Sequence, residues 1–175
     1  MTIGQDGLDE TLEHNMATKQ DAVESIQLGI DRVQATFGSL SDEQLQAKVN
    51  QGEGGWTARQ ILAHLASRGP NYERMIQLAE TDTQFPTGNV DFNALNQAAV
   101  DGFRGKSRDE LLAQFRAAHE ELMARVQGLP DELLEKTMAL PFGVMKVGDL
   151  LMSSGGLHSI NHSIEVEQAL GLENE

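Results

Sequence analysis

Two histidines, His158 and His162, stand four residues apart in the stretch Leu157-His158-Ser159-Ile160-Asn161-His162. If the stretch is helical, residues at i and i+4 lie only about 40° apart on one face, so both imidazoles can reach one cation. A third histidine, His64, stands in Trp56-Thr57-Ala58-Arg59-Gln60-Ile61-Leu62-Ala63-His64-Leu65, which reads as another amphipathic helix. The chain has no cysteine, so thiolate ligands, disulfides and a cysteine nucleophile are excluded. A divalent metal here would have to be held by His, Asp and Glu, which suits zinc, nickel, iron or manganese. Three neutral imidazoles leave at least one coordination position open, where a metal acidifies bound water or a bound thiol. The expectation is that His64, His158 and His162 meet in a helical core around such a metal. The competing reading is three unrelated core histidines.

Other residues stand near these in sequence. Glu165 is three residues past His162 on the same face, placed to orient a histidine or to act as a base; an edge carboxylate in solvent is the alternative. Arg68 follows His64 by one turn and could grip an anionic group, or be a plain surface arginine. Asn96 and Asn93 are candidates for a pocket wall, or for capping and surface roles. His119 falls in the apolar face of its helix, where a hydrogen-bonded core histidine is the expected role rather than a ligand. His14 reads as exposed and without a role.

These residues need a scaffold, and the periodicity supplies one. Ala22, Val23, Ile26, Ile30, Val33 and Phe37 form a 3.6-residue stripe over about 17–37. Ser41 opens a short turn, and a loop with three glycines follows over 50–55. Thr57 caps a second long helix with Ile61, Leu65, Tyr72, Met75 and Ala79 on one side. Pro70 inside it predicts a kink or break, because it cannot donate a backbone hydrogen bond and crowds the carbonyl of Ala66. A shorter helix over 91–103 presents Phe92, Leu95, Ala99 and Phe103 as its apolar face. Ser107 caps a third long helix to about Gln127; Asp131–Leu134 is one turn, and 140–143 a turn or short extended link. The last helix runs over 147–170 and carries the histidines in register with Val147, Leu151, Ser154, Glu165 and Ala169. A second strip, Leu150, Leu157, Ile160 and Ile164, extends the core or forms a dimer face. Gly155-Gly156 inside this helix costs about 1 kcal/mol per glycine against alanine, which suggests a close backbone approach. Gly171 is placed to close it. The result is an all-α bundle of four long helices plus short ones, forming a single domain over 17–175, behind an acidic arm over 1–16.

Thirteen basic residues against 27 acidic ones give a net charge of −14. Nucleic acids and anionic membranes select for basic clusters, and the only concentration is Arg104, Lys106 and Arg108, so neither partner is expected. No apolar run approaches the roughly 18 residues of a membrane span, and no signal-peptide pattern opens the chain. A soluble, cytoplasmic protein is expected.

The stretch Trp56–Leu65 and the His158-Ser159-Ile160-Asn161-His162 segment resemble the two signatures of the DinB/YfiT-like metal-binding proteins. Phe92-Asn93-Ala94-Leu95-Asn96, the Ser-Arg-Asp-Glu-Leu-Leu segment at Ser107, and Pro141-Phe142-Gly143 match in order between them. The resemblance implies a four-helix bundle of up-down-down-up type with a long crossover, often dimeric. It implies a metal held by residues matching His64, His158 and His162. It also implies a low-molecular-weight thiol (mycothiol, bacillithiol or glutathione) activated at the metal and transferred to an electrophilic substrate. In the mycothiol-dependent maleylpyruvate isomerases, the position matching His158 is typically glutamate, so that specific activity is not expected here. A metal-dependent hydrolase and a non-catalytic, stress-associated metal binder remain the alternatives.

Overall fold

The computed structural model describes residues 18–49, 55–85, 88, 90–141 and 143–172. The expected arm over 1–16 with His14, most of the glycine loop, Pro86 and Phe142 lie outside the described residues. The elements are α1 Lys19–Ser39, α2 Asp42–Gln46, α3 Ala58–Ala66, α4 Gly69–Glu80, α5 Phe92–Gly102, α6 Arg108–Gly128 and α7 Asp131–Glu135. A hairpin follows, β1 Thr137–Leu140 and β2 Gly143–Lys146, and then α8 Val147–Met152, a π turn Ser153–Leu157, and α9 His158–Leu170.

Local chemistry sets the starts. Thr18, Ser41, Thr57 and Ser107 each cap a helix, and each is answered by the side chain three residues on, Asp21, Gln44, Gln60 and Glu110. Such reciprocal boxes satisfy backbone donors that the first turn leaves free. The second long helix is broken, as Pro70 predicts, but the break falls at Ser67 and Arg68; Pro70 itself sits in the first turn of α4, where its missing N–H is harmless.

Contacts between helices give their directions. Gln34 of α1 donates to the Leu112 carbonyl of α6, while Ile26 and Leu122 both flank Gly155, so α1 and α6 are antiparallel. Ser25 reaches the Met152 carbonyl, Gly29 faces Gly156 and Ser159, and Thr36 binds Glu167, so α1 and the last helix are parallel. Arg59 binds the Lys106 carbonyl and Arg125 pairs with Glu80 at 2.9 Å, so α3–α4 run parallel to α6. The four long helices are therefore up, down, down, up. Two parallel neighbours require the chain to return along the bundle between them, and α5 lies in that return.

Three expectations are corrected. First, α5 does not bury its predicted face: Val100 is its buried residue, while Phe92 and Leu95 are 48% and 59% exposed. The helix seats its other side on α3, with Gln97 accepting from Trp56 Nε1 at 2.8 Å. Second, residues 137–146 form a hairpin, with the expected turn at its tip. Third, the last helix is not continuous α. The π turn adds about one residue to the register, so buried positions shift to Ser159, His162, Ser163 and Val166, while Ala169 is exposed. The same shift leaves Leu157 and Ile164 facing solvent in the single chain.

The turn forms where α1 comes closest. A Cβ on Gly155 would stand 2.8 Å from Leu122 Cδ2 and 2.9 Å from Ile26 Cγ1, and one on Gly156 would overlap the hydroxyl and carbonyl of Ser25. Only glycine permits this approach. The expected close backbone contact is thus real, and it locks the helix that carries two histidines against α1.

Candidate metal centre

His64 comes from the buried side of α3, and His158 and His162 from the start of α9. Their ligand atoms all lie within 4.8 Å of one another. His64 Nε2 and His158 Nε2 are 3.0 Å apart. Two imidazole lone pairs at that distance repel unless a proton or a cation stands between them. Burial, the Arg68 charge and His162 push His64 down to about 3. Burial, followed by His162 and Arg68, pushes His158 down to about 2. Both rings are therefore neutral near pH 7, the form that ligates a metal.

His162 Nδ1–H donates to Glu165 Oε2 at 2.9 Å. A carboxylate on that nitrogen fixes the tautomer and turns Nε2 away from it, an arrangement common around metal-bound histidines. Trp56, 5.2 Å from the His64 ring between centroids, covers the site from the α3 side. Metal–nitrogen bonds of about 2.0–2.1 Å require nitrogens roughly 3.3 Å apart, so three imidazoles whose ligand atoms lie within 4.8 Å of one another fit a divalent transition metal with little movement.

His119 takes the role expected of it. Its Nδ1–H donates to the Phe115 carbonyl at 2.8 Å, and Nε2 stands 3.1 Å from the Tyr72 hydroxyl. Tyr72 also lies 3.1 Å from the Ser154 carbonyl in the π turn, so the pair braces a backbone group that the turn frees. Burial holds His119 down to about 4 and raises Tyr72 to about 12.

A groove of about 410 Å³ is lined mainly by α4 and α5, with none of the three histidines among its described lining residues. Arg68 and Asn96 line it, along with Arg74, Phe92, Leu95 and Ser154. Arg68 follows His64 by four residues and Ser154 precedes His158 by four, so the groove reaches within a helical turn of two of the three histidines. Asn93 is exposed outside this lining. Trp56, Tyr72 and Arg74 were not apparent as site residues: Trp56 stood out only as the start of the Trp56–Leu65 stretch, Tyr72 stood on the apolar side of its helix, and Arg74 is an isolated basic residue in an acidic chain.

The fold is a four-helix bundle with a three-histidine cluster that could hold a metal ion. The family model of the DinB superfamily matches residues 25–162, and the chain belongs to that superfamily. It is similar to YfiT from Bacillus subtilis, described as a probable metal-dependent hydrolase with an unusual four-helix bundle topology, at 18% identity, covering 98% of this chain and 94% of that one with a TM-score of 0.67. It is also similar to a mycothiol-dependent maleylpyruvate isomerase, at 11% identity, 85% of this chain and a TM-score of 0.67, although it spans only 60% of that enzyme's length. A third similar structure is the colibactin self-resistance protein ClbS in complex with double-stranded DNA, at 12% identity, 89% and 96% coverage and a TM-score of 0.68. A search of curated proteins finds no match. No described helix is long and apolar enough to cross a membrane.

Proposed function

We propose that the chain is a metal-dependent enzyme that joins a low-molecular-weight thiol to an electrophilic substrate, with His64, His158 and His162 as the metal ligands. The observation that carries this reading is the convergence of three histidines, two buried and one partly buried, whose ligand atoms lie within 4.8 Å of one another. A divalent metal there, zinc or nickel by donor type, would supply Lewis acidity, making a bound thiol or water nucleophilic near neutral pH. The chain has no cysteine, so a sulfur nucleophile must come from a partner molecule. Glu165 holds the proton on His162 Nδ1 and keeps Nε2 directed at the metal; it is a positioning residue. Trp56 excludes water from one side. The groove with Arg68 and Asn96 provides the volume for an organic molecule, which a site serving water alone would not need.

Water activation is the second reading, favoured by the likeness to YfiT along nearly its whole length. A DNA-binding role is not favoured. Arg104 pairs with Asp101 at 2.6 Å and Arg108 with Asp109 at 3.2 Å, leaving that basic segment largely neutralised.

The test is elemental analysis of untagged protein purified without added metal or chelator, beside His162→Ala. About one metal per chain, lost in the variant, is the expected result, and thiol-conjugation and ester-hydrolysis assays on the loaded protein then separate the two readings. No metal, and none taken up from an equimolar mixture, would leave three core histidines and no enzyme of this kind.

A further inference from the structure

The groove of α4 and α5 has an unusual charge balance for this chain. Among the described residues no Asp or Glu lines it, although the chain carries a net charge of −14. Two arginines do, Arg68 at the helix break and Arg74 on α4. Neither belongs to a salt bridge among the described residues. Arg68 Nε is buried without a hydrogen-bond partner, and its guanidinium lies 5.8 Å over the Tyr72 ring. The guanidinium also hydrogen-bonds Tyr72, but the buried Nε–H is expensive to leave without an acceptor, and a carboxylate is the group its planar fork matches.

Much of the remaining lining is apolar. Phe92 and Leu95 of α5 stand half exposed, joined in the lining by Phe85 and Leu140. Exposed apolar side chains gathered around a concavity mark a binding surface more often than isolated ones do. Inorganic phosphate would answer the arginines but leave this apolar lining in water. Arg68 lines the groove and stands four residues past His64 in the chain.

We infer that the groove binds a small organic carboxylate with an aromatic or branched apolar body, its charge on Arg68 and Arg74 and its body against α5. That the far end of this molecule meets the reaction centre rests on the proposed function; the anion site does not. The carboxylate belongs either to the thiol or to the electrophile.

The experiment is isothermal titration calorimetry on the full chain, stripped by chelator and again after reloading with one equivalent of zinc. The probes are 3-phenylpropionate, its neutral amide and inorganic phosphate. The carboxylate binds at least about tenfold more tightly than either other probe, with or without zinc, as expected for charge-assisted pairing plus apolar contact. Arg74→Gln, at an exposed position whose loss leaves the core intact, weakens the carboxylate about tenfold and does not change binding of the amide. Arg68→Lys keeps the charge, loses the fork and weakens it too. Equal affinity for the amide or for phosphate overturns the inference, as does unchanged carboxylate affinity in both variants. On the zinc form, displacement of 3-phenylpropionate by 3-mercaptopropionate assigns the charge to the thiol, and simultaneous binding assigns it to the electrophile. Failure of the metal reading looks different: zinc is not taken up, while the carboxylate still binds.

Discussion

At the scale of single residues, the hydrogen bond from His162 to Glu165 is the contact with the clearest energetic meaning. Carboxylates in this position hold a ligand's ring and raise its basicity, and their loss typically costs 10–100-fold in metal affinity. Glu165→Gln is therefore expected to weaken zinc binding by that range in a competition titration while leaving the helical circular dichroism unchanged. Unaltered affinity would show that Glu165 does not act through His162. His119 gives a second residue-scale expectation. It is held near 4, below the ordinary 6.5, so between those values the unfolded chain takes up a proton that the folded chain refuses. Stability present above pH 6.5 falls as pH drops through this window and levels off below about 4, a loss of roughly 3 kcal/mol at most. Urea unfolding of His119→Gln between pH 7 and 4.5 is expected to be flatter than that of the parent by about one histidine's share. The meeting of His158 and His162 on one face was legible because their spacing follows helix geometry. Arg74 was not, because nothing in a helix's own sequence shows which groove its outer face lines.

At the scale of elements, the π turn decides where α9 points. Ser25 and Gly29 of α1 meet it so closely that a side chain at position 156 has no room. Gly156→Ala is expected to cost several-fold more than the ordinary preference for alanine in a helix would return, on the order of 3 kcal/mol by urea unfolding, with metal affinity reduced as α9 shifts. Thr57→Ala, which removes one half of the capping box ahead of His64, costs about 1 kcal/mol with little effect on metal binding. A much larger loss of metal affinity in Thr57→Ala would mean that the start of α3 is coupled to the site more tightly than its cap implies. The long helices and their caps could be read because periodicity and Ser/Thr caps are local signals. The turn could not be read as such: Gly155-Gly156 looks like a weak spot in a helix, and the one-residue slip shows only where the apolar register before Leu151 fails to join that after Ser159. The face of α5 was misassigned for a related reason. Its periodicity marks an apolar side but not whether that side meets the core or a ligand groove.

For the whole molecule, the triad ties α3 to α9 across the bundle, so a bound metal staples two elements far apart in sequence. Chelation is expected to lower the thermal midpoint, and with free metal at about 1,000 times its dissociation constant the difference is about 4 kcal/mol. A midpoint indifferent to chelator in a protein shown to bind metal would place the ion outside the folded triad. The up-down-down-up order was legible only through the family resemblance, since helix directions depend on contacts such as Gln34 with Leu112 that no local pattern encodes. The π turn also bears on how chains of this family are compared. A segment with one residue more than α geometry needs is the mark of a single-residue insertion. A relative whose last helix is uninterrupted would then align correctly only with a one-position gap between Leu151 and His158. Aligned without that gap, every residue up to Leu151 would be matched to its neighbour's counterpart, and a shared core would read as divergence.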